Sequence, residues 1–224
     1  MIAKTSIGLG ASGALTKLSS LEDACGIASG INNCADTLAL FSQLVTGAMF
    51  YEVDSSSGNF AIKTTTRHKG NGEYEIIIGR TLRSPLSIAS KITRLASKAT
   101  GSVCFMGGDL KLMALGKHAK GLGGVATSLS AISSACGAAD DMVNIVGAIR
   151  SVNSESSAED FAERRQTLRE KFFSLLCNIV DLLGDIMSLL FSFAPALLGP
   201  HSLLIIGIFW LMSSVLNFVQ DFIG

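Results

Sequence analysis

The chain has 224 residues and no formal net charge, with 48% hydrophobic and only 16% charged residues and 23 glycines. So few charges are unusual for a soluble protein, and the length allows one or two domains. Five scattered cysteines (Cys25, Cys34, Cys104, Cys136, Cys177), odd in number and without a C-x-x-C pair, give no disulfide framework and suit a reducing compartment.

From the N-terminus, Met1 to Leu9 carries one lysine and no uninterrupted apolar run, unlike a secretory signal. Gly8 to Gly13 fits G-x-G-x-x-G letter for letter. The dinucleotide fingerprint needs a hydrophobic strand before it and an acid about twenty residues on. Only seven poor strand formers precede Gly8, so residues 1–20 are expected to form a flexible tail. Ile27, Ile31, Cys34, Leu38, Phe41, Val45 and Ala48 then recur at spacings of four and three, which predicts a helix over about 21–50. The stretch 50–78 changes habit. Phe50–Val53, Asn59–Thr66 and Glu73–Ile78 are β-prone, with turn residues at 55–58 and 68–72, and predict a small exposed hairpin.

Ser84 is suited to cap a helix with Pro85 at its first position. Ile88, Ile92 and Leu95 form one face of that helix, and Lys91, Arg94 and Lys98 form an adjacent cationic face. Arg80 and Arg83 precede it. Between Ile76 and Ala139 the only acid is Asp109, against eight lysines and arginines. A cationic amphipathic helix in such a block predicts binding to anionic headgroups, and the absence of interleaved aromatics argues against single-stranded nucleic acid. The alternative packs the same helix inside a bundle. A further helix is predicted over 122–149. Val125, Leu129, Ile132, Cys136, Val143 and Val146 lie on one face, and Ala126, Ser130, Ser133, Gly137, Asp140, Asn144 and Gly147 form a small, polar stripe suited to close helix approach.

Past a polar linker at 151–157, Ser157 and Asp160 make a capping box for a helix that carries Arg164, Arg165, Arg169 and Lys171. Two very apolar stretches follow, Phe172–Leu198 and Ser202–Phe222, joined by Gly199-Pro200-His201. They predict a transmembrane hairpin whose cationic flank keeps both termini cytosolic. Ser174, Asn178, Asp181, Asp185, Ser188 and Ser192 fall on one narrow stripe of the first span. A carboxylate at mid-bilayer costs roughly 2.5–3.5 kcal/mol or more, so this stripe is expected to meet protein or water. Ser213, Asn217 and Gln220 or Asp221 offer a partner stripe.

No nucleophile motif, Walker loop or metal-ligand spacing is present, and His68, His118 and His201 stand apart. The expectation is an all-α membrane protein without catalysis, cofactor or metal. Its parts would be a tail (1–20), a helical membrane-associated region with a β-prone insert (21–150), a basic linker helix (151–171) and a transmembrane hairpin (172–224).

Four segments resemble the peroxisomal biogenesis factor 11 family, which includes glycosomal membrane proteins: Gly79-Arg80-Thr81-Leu82-Arg83, Cys104 to Ala114 with its aromatic-x-x-x-Asp pattern, Arg169 to Asp181, and Gly207 to Ser214. The 50–78 insert and the absence of an aromatic near Leu112 depart from the family's pattern. The resemblance implies a peroxisomal or glycosomal membrane protein that remodels its organelle's membrane. It would act through homo-oligomers on anionic phospholipid, with the organelle-division machinery as a further partner. A metabolite pore of the same membrane is a second implied role. A bacterial inclusion-membrane protein, which shares a bilobed hydrophobic hairpin, is the competing resemblance.

Overall fold

The computed structural model describes residues 12–54, 57–69, 73–150, 158–194 and 202–223. Five helices carry most of them: α1 (Ser12–Thr46), α2 (Pro85–Gly108), α3 (Ala119–Arg150), α4 (Ala158–Phe193) and α5 (Ser202–Ile223). Strands β1 (Ile62–Lys69) and β2 (Glu73–Arg80) form an antiparallel hairpin between α1 and α2. The helical class with a small β insert is as expected. The linker at 151–157 and the Gly199-Pro200-His201 turn lie outside the described residues.

Local chemistry sets the boundaries. α1 begins at Ser12, inside the stretch expected to be a tail, and stops before Gly47, whose φ of +83° suits a residue without a Cβ. Ser84 caps α2 as predicted. Its Oγ accepts from the Ser87 N–H at 3.0 Å, and Pro85 opens the helix. α2 runs on to Gly108 and breaks there: Lys111 takes a φ of +53°, and a 3-10 turn (Gly116–His118) leads into α3. The hairpin is extended by pairing of Tyr51 with Leu82 and of Val53 with Phe60. There Arg80 lays its guanidinium over the Phe60 ring at 4.4 Å and near Tyr51 at 5.7 Å.

Packing runs between sequence neighbours: α1 on α2, α2 on α3, α3 on α4, and α4 on α5. Two helices are long and apolar enough to cross a membrane, Ala119–Arg150 and Arg165–Phe193, with a shorter apolar stretch at Ile205–Val219. At 1.5 Å per residue the first two reach roughly 48 and 43 Å, beyond the ~30 Å hydrocarbon thickness. A crossing length at α4 was expected; α3 was expected as a helix only, and the second expected span, Ser202–Phe222, holds the shorter apolar stretch.

The interior is inverted relative to a soluble bundle. Buried apolar side chains among the described residues are few: Leu40, Met49, Phe105, Ala138, Cys177 and Val180. Ser97, Ser102, Ser133, Ser134, Asp140, Asp141, Asp185 and Ser213 are buried beside them. The apolar faces of α1 and α3 turn outward instead: Leu38 is 72% exposed and Val143 62%, with Ile31, Phe41, Val45 and Ile132 exposed as well. Soluble proteins seldom leave contiguous apolar surface of this extent uncovered.

Candidate functional site: a polar interior lined by all five helices

Side-chain hydrogen bonds join every neighbouring helix pair. Between α1 and α2, Lys98 Nζ meets Asp36 Oδ2 at 2.8 Å and Asn33 Oδ1 at 3.2 Å, Lys91 donates to Gln43 Oε1 at 3.2 Å, and Thr37 shares a bond with Ser102. Between α2 and α3, Ser90 and Ser133 each donate to the other's carbonyl, at 2.9 and 2.8 Å. Ser97 donates to the Ala126 carbonyl at 2.8 Å, and Ser84 to Asp140. These partners belong to the small, polar stripe of α3, whose short side chains admit the close approach.

Asp141 organises the next interface. From α4, Ser174 Oγ donates to its Oδ2 at 2.7 Å, Asn178 Nδ2 at 3.0 Å, and Lys171 Nζ lies 3.5 Å from Oδ1. Gly137 lets Asn178 in: a Cβ there would stand 2.9 Å from both of its amide heavy atoms. Between α4 and α5, Ser213 donates to Asp181, and Asn217 Nδ2 donates to Ser213 at 3.2 Å. The predicted partner stripe is thus present in Ser213 and Asn217; the side chains of Gln220 and Asp221 lie outside the described residues.

Two cavities of about 450 and 510 Å³ lie along this interior, each lined from all five helices. Arg94, Asn178, Asp181 and Asn217 line both, so the two adjoin. Asp36, Lys91, Asp140, Asp141 and Lys171 border the first; Asn33, Lys98, Ser130, Ser133 and Asp185 border the second. In low-dielectric surroundings such groups are tolerated because they pair with one another or with water.

The α4 stripe divides. Ser174, Asn178 and Asp181 reach other helices, while Ser188 and Ser192 bond back to the carbonyls of Gly184 and Ser188 on their own helix. Asp185 is 1% exposed, and neither carboxylate oxygen has a hydrogen-bond partner.

The residues expected on a membrane surface are disposed differently from that expectation. Lys91 and Lys98 turn into the interior, because Gln43, Asn33 and Asp36 of α1 supply the oxygen ligands their ammonium groups need. Arg83 donates to the Ala48 carbonyl at 3.2 Å, and Arg80 stacks on the insert's aromatics. Ile88 and Leu95 are half-buried, whereas Ile92 and Arg94 are exposed. Asp141 escaped the sequence reading, although adjacent acids within an apolar helix mark an expensive and therefore purposeful placement.

Comparison of the chain with family models, with curated proteins and with solved structures gives no match.

Proposed function

We propose that the chain is an integral membrane protein whose helices enclose a hydrated path for small polar solutes. The observation that carries this reading is the inverted distribution of polarity: serines, asparagines, aspartates and lysines of all five helices line adjoining cavities, while isoleucines, leucines, valines and phenylalanines face outward. A bilayer rewards that arrangement. Lipid covers the apolar exterior, and polar side chains inside bond across helices or hold water. α3 and α4 have the length to span, and α5 completes a hairpin with α4.

A second reading, remodelling of an organelle membrane as the peroxisomal family resemblance implies, is favoured by α2 leaving Leu86 and Ile92 exposed on its outer face. One preparation separates the two. Purified protein reconstituted into liposomes is expected to release small polar solutes without changing vesicle shape. Tubulation without release would establish remodelling and overturn the path. Extraction of the protein from membranes by alkaline carbonate would overturn both.

A further inference from the structure

Among the described residues, Asp185 is the one carboxylate of this interior whose oxygens receive no hydrogen bond of ordinary length, the Ser130 hydroxyl being the side-chain donor that approaches it. Asp36 is engaged by Lys98, Asp140 by Ser84 and Asn144, Asp141 by Ser174, Asn178 and Lys171, and Asp181 by Ser213. Asp185 borders the larger cavity, yet both its oxygens are buried and unbonded. The interior cations do not supply the missing charge. Lys98 acts on Asp185 at longer range but is already held by Asp36 and Asn33, and Arg94 lines the same cavity without bonding to it. An ionised carboxylate so buried needs a positive partner, and a group left unbonded in this way points to an ion or water.

We propose that Asp185 is the anchor of a monovalent-cation site, filled by an alkali metal ion held by its carboxylate together with oxygens of neighbouring side chains. Ser130, Asp181 and Ser213 border the same cavity, and Ser130 and Asp181 act directly on Asp185. The donors are oxygens, the set that hard cations take. Among the described residues no three His, Cys, Asp or Glu side chains converge, so the anionic charge that structural divalent sites concentrate is absent. Of the two carboxylates that border this cavity, one is offset by Arg94, which lines it as well, leaving about one uncompensated charge, which a single alkali ion neutralises. The inference rests on the proposed path for the ion's route to the site and thereby names a cation as its solute class.

The test is made on the full chain in detergent, where binding does not depend on transport. Melting is followed in sodium chloride, potassium chloride and choline chloride at equal ionic strength. The site predicts a melting temperature several degrees higher in at least one alkali salt than in choline, because a ligand of the native state alone stabilises it. Asp185→Asn, which keeps the side chain's shape, is expected to lose that difference, and Asp109→Asn, at an exposed carboxylate away from the cavities, to retain it. Equal melting of the wild type in all three salts, or an alkali effect that survives Asp185→Asn, would overturn the site. Should Asp185→Asn fail to fold, equilibrium binding of radiolabelled sodium and rubidium to the wild type decides: one ion per chain supports the site, and none overturns it. Cation-dependent melting without liposome flux would sink the path and leave the site standing. Flux without cation dependence would do the reverse.

Discussion

Asp141 and Asp185 are both buried carboxylates on apolar helices, 4% and 1% exposed, and their surroundings could hardly differ more. Asp141 of α3 collects a hydroxyl, an amide and an ammonium from one face of α4. Asp185, eleven residues beyond Ser174 on that same helix, collects no hydrogen bond of ordinary length from the described residues. The cost of burying a charge is similar at both places, so the contrast lies in what offsets it. At Asp141 the compensation is structural, a clasp that fixes the register of α3 on α4. At Asp185 it must come from outside the chain or from a proton. A fold that saturates four interior carboxylates and leaves the fifth open is using the two kinds of site for different ends.

Mutations sharpen this contrast in order of expected size. Asp141→Ala removes the shared acceptor of Ser174, Asn178 and Lys171, so unfolding in detergent is expected to shift by about 2–3 kcal/mol. Gly30→Ala comes next. The added Cβ would stand 2.1 Å from Cδ2 of the buried Phe105 ring, and the overpacking is expected to cost about 1–3 kcal/mol. Gly137→Ala would crowd Asn178 and loosen the Asp141 clasp, offset by up to about 1 kcal/mol of improved helix propensity. Its net loss is expected near 1 kcal/mol, and disappears in an Asp141→Ala background if the clasp is what it disturbs. Asp185→Asn, in choline salts without alkali ions, is expected to leave stability unchanged or raise it. A loss as large as that of Asp141→Ala would show that Asp185 serves the fold in the same way and erase the distinction. Smallest of all, Val143→Ala on the outward face of α3 is expected to move stability by under ~0.5 kcal/mol in detergent.

The elements were legible in the sequence because each has a local cause. Ser84 and Pro85 start α2, the β-branched and turn residues of 50–80 make a hairpin, and the first apolar run after Lys171 has the length of a membrane helix. The orientation of the faces was not legible. Spacings of three and four show that Ile27, Ile31, Leu38, Phe41 and Val45 share a side of α1, yet periodicity is the same whether that side meets a core or lipid. Lys91, Arg94 and Lys98 pose the same ambiguity on α2. What turns Lys91 and Lys98 inward is the chance to meet Gln43, Asn33 and Asp36, some 48 to 65 residues away in the chain, and no local pattern announces such pairings. The α4 stripe forms one face, but among the described residues only its first three members bond to other helices, because α3 supplies Asp141 and α5 supplies Ser213 at those levels, while Ser188 and Ser192 bond to carbonyls of their own helix.

The central claim is that lipid covers the outside of this bundle and water reaches its inside. Spin labels placed singly at Phe41, Val143 and Leu211 on the exterior, and at Ser130 and Asn217 in the interior, test it directly in reconstituted vesicles. The account predicts collision with dissolved oxygen at the exterior sites and with a water-soluble paramagnetic reagent at the interior ones. Exterior labels that collide with the aqueous reagent, with interior labels shielded from it, would contradict the account.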